Sequence, residues 1–342
     1  MKVTTIGVDL AKTVFQVHGV DGSGKAAVRK RLRRKQVLPF FAQLPECLIG
    51  MEACSGAHYW ARELQKFGHT VKLMAPQFVK PYVKANKTDA ADAEAICEAV
   101  TRPTMRFVPI KSIDQHAVLS LHRARAGFVK SRTAQANQVR GLLGEYGIIL
   151  PQGIVHVAKR IPEIVEDAEN ELPVMFRQLL VRLREFLLQL DSQIQELETQ
   201  INAWHRNNED SQRLAQIPGV GVLTASALVA SIGDARCFKN GRELAAWIGL
   251  VPRQYSSGGK PLLLGISKRG DAYLRTLLVH GARSAVRVAE NKGTPIDKWT
   301  NELGARRHMN VVSVARANKN VRTAWALLAH KRDYDGGYKL AV

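Results

Sequence analysis

Apolar and polar positions change period several times along the first hundred residues. V-T-T-I-G-V-D-L (3–10) and T-V-F-Q-V-H-G-V (13–20) are strand-like runs, and D-G-S-G (21–24) marks a turn. The segment 25–35, K-A-A-V-R-K-R-L-R-R-K, is strand-like too, although strongly basic. Q-V-L-P-F-F-A-Q-L then predicts a short helix. C-L-I-G-M-E-A (47–53) has the pattern of a buried strand. H-Y-W-A-R-E-L-Q-K-F-G (58–68) is an amphipathic helix ending at Gly68, and T-V-K-L-M-A-P (70–76) is another strand. Two adjacent strands, a basic third and then β-α-β predict an α/β layer with a mixed sheet. Neither G-x-G-x-x-G nor G-x-x-x-x-G-K-[ST] occurs in this half, so a nucleotide-binding glycine loop is not expected.

From about Ile113 the pattern is helical up to a break at Gly147 and Pro151. After Pro173, nine positions fall at alternating spacings of four and three: Phe176, Leu180, Leu183, Leu187, Leu190, Ile194, Leu197, Ile201 and Trp204. Such an a/d repeat predicts a coiled coil that associates with another copy, or a long helix folded against residues 115–146 of its own chain. Beyond Asn207, L-A-Q-I-P-G-V-G-V-L-T-A-S (214–226) places a glycine turn between two helices. In this helix-hairpin-helix-like pattern, Gly219 and Gly221 would present backbone N–H groups to a phosphate. A helix at 241–250, a Ser-, Gly- and cation-rich loop at 251–271 and further helices complete the chain. The predicted regions are 1–112, 113–206 and 207–342.

Composition narrows the partners. The 342 residues carry 50 Lys+Arg against 30 Asp+Glu, a net charge of +20, which favours a polyanion such as nucleic acid. Aromatic residues are few at 6%, so base stacking on exposed rings is not the expected mode. The four cysteines have no C-x-x-C spacing, which argues against a zinc site and for reduced thiols in the cytoplasm. No apolar run is long enough to span a membrane. The N-terminus reads as a strand, not as a signal peptide.

Against this basic background, carboxylates stand in unusual places. Asp9 ends the first strand in G-V-D-L-A-K, and Glu52 ends the strand C-L-I-G-M-E-A. Asp89 and Asp92, in T-D-A-A-D, are three apart near the start of a predicted helix and project from one face. Glu94, two residues beyond Asp92, points elsewhere. Four oxygen donors without His or Cys suit Mg²⁺ or Mn²⁺, and two such ions clamp the attacking and leaving oxygens of a phosphoryl transfer. A structural role is the alternative for the helical pair, with Asp89 as a cap and Asp92 as a first-turn residue favoured by the dipole. It is weaker for Asp9 and Glu52, since an unpaired acid in an apolar strand is costly.

These motifs together resemble a known family. G-V-D-L-A-K, M-E-A-C-S-G and K-T-D-A-A-D-A, followed by I-P-G-V-G (217–221) and G-L-V-P-R-Q-Y-S-S-G (249–258), are similar to the DEDD-type insertion-sequence transposases. That family includes Piv-like DNA invertases and bridge-RNA-guided recombinases, and the likeness runs over nearly the whole chain. It implies an RNase H-like (RuvC-like) N-terminal domain, central coiled-coil helices and a mostly helical C-terminal transposase domain. It further implies that Asp9, Glu52, Asp89 and Asp92 hold Mg²⁺, and that Ser257, directly before the glycine, attacks DNA to form a phosphoserine link. The adjacent Ser256 leaves the choice of serine open. Arg253, Lys260, Lys268 and Arg269 would hold phosphates around it. A bridge RNA would account for the run containing Arg29, Lys30, Arg31, Arg33 and Arg34, with donor and target DNA as the other partners. The metal and serine domains would meet from different subunits of a dimer or tetramer in the bacterial cytoplasm, at the nucleoid. The alternative reading is a junction-resolving nuclease that uses the carboxylates and water alone.

Overall fold

The computed structural model describes residues 2–84 and 88–337, which pack as two compact units, 1–113 and 114–342. The first unit holds strands β1 (Val3–Leu10), β2 (Val14–Asp21), β3 (Ala26–Arg33), β4 (Leu48–Glu52), β5 (Thr70–Met74) and β6 (Phe107–Val108). They form one sheet in the order β3-β2-β1-β4-β5-β6. The first three strands are antiparallel, β1, β4 and β5 run parallel, and β6 returns antiparallel along β5. This is the mixed RNase H-like sheet that the sequence implies, with a short sixth strand that its two residues left illegible.

Alternation along the strands decides which helix lies on which face. Ile6, Val8, Phe15, Val17, Leu32, Ile49 and Met51 are buried together with Phe41 of α1 (Val37–Ala42) and with Trp60 and Leu64 of α2 (Ala57–Gln65). The opposite face carries α4 (Asp89–Val100), which together with α3 (Pro76–Val79) covers Met74. There the strands use glycine. A Cβ on Gly7 would stand 2.1 Å from the carbonyl oxygen of Ala93, and one on Gly50 would stand 2.8 Å from Cβ of Val100. Only residues without a side chain let α4 settle this close to β1 and β4.

Among its described residues the second unit is helical apart from one hairpin. Helices α5 (Ile113–Gly144), α6 (Ile154–Glu166) and α7 (Val174–Arg206) come first. Arg125 pairs with Glu198 and Arg132 with Asp191, both at 2.6 Å, so α5 and α7 run antiparallel. The heptad stripe of α7 is buried within this one chain: Phe176, Leu180 and Leu187 pack with Ala136, Val139 and Leu143 of α5 and with Val157 and Ile161 of α6. Intramolecular packing thus covers the first half of the repeat. The remaining helices are α8 (Glu209–Ala215), α9 (Val222–Ile232), α10 (Gly241–Ile248), α11 (Ala272–Arg287), α12 (Pro295–Gly304) and α13 (Met309–His330). Helix α9 is buried along almost its whole length among α10, α11 and α13.

His122 of α5 ties these layers together: it is buried and bridges Tyr273 Oη of α11 and Ser226 Oγ of α9, both at 3.0 Å. Burial, aided by the nearby Arg125 charge, lowers its pKa to about 4.

Two outcomes follow from this packing. Leu187→Ala should cost about 2–5 kcal/mol of stability, whereas Leu188→Ala, on the exposed side of α7, should cost under about 1 kcal/mol, as read from denaturant unfolding. For His122, the unfolded imidazole binds a proton below its ordinary value of 6.5 while the folded one resists until about 4. Stability should therefore be full above pH 6.5 and fall with decreasing pH by up to ~1.4 kcal/mol per unit down to about 4. Tryptophan fluorescence, most of it from the second unit, should show this slope in the wild type and lose it in His122→Gln.

Candidate active site

Carboxylates first converge in the first unit. Asp9 lies near the end of β1, two residues beyond Gly7 and therefore on the same face as α4. Thr88, and not Asp89, is the N-cap of α4: its Oγ1 accepts from the N–H of Ala91 at 3.2 Å. That cap leaves Asp89 and Asp92 in the first turn with their side chains available to the sheet. Ligand oxygens of Asp9, Asp89 and Asp92 all lie within 4.8 Å of one another, a group able to hold a divalent ion. Glu52 ends β4 on the next strand, one residue beyond the Met51 that pairs with Val8, and lies outside this tight group of three. The Cys54 thiol, raised by burial and then by the charges of Glu52 and Asp9, marks both acids as its neighbours. Glu94 instead approaches Lys84 Nζ at 3.8 Å.

The second candidate element lies in the other unit. Residues 251–271, expected as a loop, contain a hairpin: β7 (Pro252–Ser257) pairs antiparallel with β8 (Lys260–Ile266). Gly258 and Gly259, with φ of 57° and 77°, make the tight two-residue turn that twisted strands require. The strands were illegible because β7 and all but the last residue of β8 are exposed, so no in–out alternation marks them. Pairing separates the two serines. Ser257 lies opposite Lys260 and shares a face with Tyr255 and Leu262. Ser256 faces the other way, and its Oγ accepts from Gln254 Nε2 at 2.9 Å. Arg253 falls at an irregularity in the register between Pro252 and Gln254. The root of the hairpin is fixed: Ser267 N–H donates to Val251 O, Lys268 N–H to Gly249 O, and Arg275 Nη1 to the carbonyls of Ile248 and Arg269. Lys268 holds a left-handed φ of 54° at this root, and a Cβ on Gly249 would stand 2.0 Å from Arg269 O.

A family model described as "Transposase IS116/IS110/IS902 family" matches residues 211–295, and a DEDD "Transposase" model of the IS110 type matches residues 6–148. A "Probable family 20 transposase" of Pseudomonas aeruginosa is 53% identical over 98% of this chain and 100% of its own length. The chain belongs to the IS116/IS110/IS902 transposase family. The "Transposase for insertion sequence element IS1328" of Yersinia enterocolitica is 45% identical over 95% of this chain and 96% of that protein. A "Pilin gene-inverting protein" of Moraxella bovis is 30% identical over a smaller share, 40% of this chain and 42% of its own. The protein is thus an insertion-sequence transposase, an enzyme that cleaves DNA strands, and its DEDD domain is of a kind that uses a divalent metal. Among the described residues no helix is long and apolar enough to cross a membrane.

Other expected contacts of the transposase fall in several places. Gly219 packs against α11: a Cβ there would meet Gly281 O at 2.6 Å, so close helix packing already requires glycine. Gly221 is the N-cap of α9, lacks a side-chain cap and opens on a cavity of ≈ 410 Å³ that also touches His280 and Glu198. Arg29, Lys30, Arg31 and Arg33 are exposed on β3, and Arg34 follows it. Gln16 and His18 of β2 pair with Asp9 and Gly7, so they stand on the same face of the sheet as Asp9, an arrangement that the two-residue alternation of β1 and β2 carries.

If the acidic group holds a metal, Asp92→Asn should weaken Mn²⁺ binding on the order of tenfold or more in titration calorimetry. Gly7→Ala, by lifting α4, should do at least as much, and Glu94→Gln should leave the affinity unchanged.

Proposed function

We propose that the transposase excises and inserts its element by metal-assisted, serine-dependent strand exchange. Asp9, Asp89 and Asp92, with Glu52 beside them, would hold Mg²⁺, or Mn²⁺ in its place. The bound ion would supply a Lewis acid at the scissile phosphate. The observation that carries this reading is the convergence of three carboxylates within 4.8 Å in a chain of net charge +20. Hard oxygen donors brought this close form a site suited to a divalent cation, which would offset their mutual repulsion.

Ser257 is the nucleophile in this reading. Its Oγ attacks phosphorus, a new O–P ester forms, and the bond to the departing strand end breaks. The hydroxyl proton leaves to solvent or to a base, and attack by another strand end reverses the step and frees the serine. Lys260, directly across the hairpin, and Arg253 would hold the phosphate oxygens. Lys268 and Arg269 would contact DNA at the hairpin root. Ser257 is favoured over Ser256 because Ser256 is held by Gln254 on the opposite face. An isolated hairpin with Tyr255, Leu262, Leu263 and Leu264 exposed is marginal in water. Its docking beside the acidic group of another subunit, within a dimer or tetramer, would cover it. Sequence choice would rest with a bridge RNA that pairs with donor and target DNA.

Ser257→Ala should abolish strand exchange and the covalent protein–DNA adduct while DNA binding persists; Ser256→Ala should keep both activities. Retained adduct in Ser257→Ala overturns the serine assignment. Continued Mg²⁺-dependent cutting of four-way junctions without adduct would instead favour a nuclease that uses water. Sequencing of RNA that co-purifies with the protein should recover one discrete species encoded beside the gene, and recovery of random cellular RNA alone would count against a guide.

A further inference from the structure

The pleat divides the basic run of β3 into two sets. Residues paired across antiparallel strands share a face. Asp9 pairs with Gln16, and Gln16 with Arg31; Gly7 pairs with His18, and His18 with Arg29. Arg29 and Arg31 therefore stand on the face that carries Asp9 and α4, and Arg33 follows them by the same alternation. Lys30 also borders a cavity on that face, but its ammonium, like the Arg34 guanidinium, lies elsewhere. Lys30 Nζ lies 5.1 Å from the centre of the Phe40 ring, and the Arg34 guanidinium lies 4.9 Å from that of Trp60, both on the α1–α2 side.

On the Asp9 face a cavity of ≈ 440 Å³ opens between β2, β3 and the first turns of α4. Gln16, His18, Arg29, Arg31, Thr88 and Glu94 contribute to its lining. Its volume is in the range of small-ligand pockets, large enough for a nucleotide. Among the described residues Glu94 is the one acid in that lining; Lys84 Nζ stands 3.8 Å from it and 3.0 Å from Glu98. His18 is buried, and its pKa is lowered by that burial, with Glu94 pulling the other way and Arg29 and Lys84 adding to the drop. The imidazole is thus a neutral hydrogen-bonding group.

We propose that Arg29 and Arg31 form a phosphate track: they hold successive phosphates of the DNA strand that leads into the Asp9–Asp89–Asp92 group, with Gln16 and His18 lining the same cavity beside them. This inference rests on reading that group as the metal site. Two residues along a strand advance about 6.6–6.8 Å, a spacing suited to neighbouring phosphates of an extended strand. Two strand-to-strand steps of about 4.8 Å separate Arg31 from Asp9, so the track begins within a nucleotide or two of the acids. Arg29 and Arg31 share the sheet face of Asp9, and Thr88 beside Asp89 borders the same cavity, which is why the strand being cut, and not a guide RNA, is the assigned occupant. Arg29 and Arg31 are positioning residues: they fix which phosphate arrives at the metal.

The test uses the full-length protein with DNA strands carrying a single methylphosphonate, which removes the charge of one phosphate, at each position within three nucleotides of the cut. In the wild type one or two positions should slow cleavage by roughly tenfold. In Arg31→Ala cleavage should already be slow, and the same methylphosphonate should slow it no further, while Arg31→Lys should restore part of both the rate and the sensitivity. Lys66→Ala, an exposed cation just past α2 paired with Glu63, should behave as wild type. Undiminished sensitivity in both arginine variants overturns the proposal. A second measurement needs no cleavage: in the Asp9→Asn background, the salt dependence of single-strand DNA binding should flatten by about 0.7 in log–log slope for each arginine removed. If the wild type cuts nothing yet this slope falls, the track stands and the metal reading of the acids fails. If the slope is unchanged, or only binding of co-purified RNA weakens, the track is wrong.

Discussion

The first unit depends on one close approach, that of α4 to the bare backbone of Gly7 on β1. With no side chain at Gly7, the helix lies so near that any Cβ would meet the Ala93 carbonyl at 2.1 Å and the Cys97 nitrogen at 2.4 Å. Helix α4 answers with small residues, Ala93, Ala95 and Ala99, all buried. That contact sets the height of the first helical turn above the sheet, and the height determines whether Asp89 and Asp92 reach Asp9. The cap from Thr88 fixes where the turn begins. Packing of small residues, local capping and the position of three carboxylates are therefore one problem with one solution.

Electrostatics explains why the arrangement belongs to a basic protein. Three carboxylates within 4.8 Å repel one another. The N-terminal end of the α4 dipole relieves part of that cost, and a divalent cation relieves more. In the proposed reading the exposed cations of β3 would meet a different partner, the phosphates of the strand. The register places Arg31 two strands from Asp9 on the same face of the sheet.

Much of this was legible in the residues. β1, β2, β4 and β5 declared themselves by alternation, and an acid at the apolar end of a strand, as with Asp9 and Glu52, is a conspicuous signal. β3 could be read in spite of its charges because Val28 and Leu32 keep the period of two. The hairpin at 252–266 could not, because with nearly every position exposed the residues are free to be Ser, Gly and Lys. Two glycines in a row then look like a loop when they are a turn. The heptads of α7 predicted a helix correctly, but a repeat alone does not say which chain covers it; that depended on α5 and α6, whose own patterns are weaker. Glu52 shows the reverse limit, since strand position brought it to the region of Asp9 without bringing it into the tightest group.

The hairpin has a further consequence. Because neighbouring residues of a strand point to opposite sides, a slip of one residue between β7 and β8 exchanges every side chain of one strand relative to the other. Such a slip would bring Ser256 onto the side of Lys260 and Leu262 and turn Ser257 away. A hydroxyl is present in either register, so which of the two adjacent serines faces Lys260 is set by the Gly258–Gly259 turn and the clamped root. A single inserted or deleted residue in the turn would act as a selector between them, changing which oxygen is presented without altering the chemistry that the strand can offer.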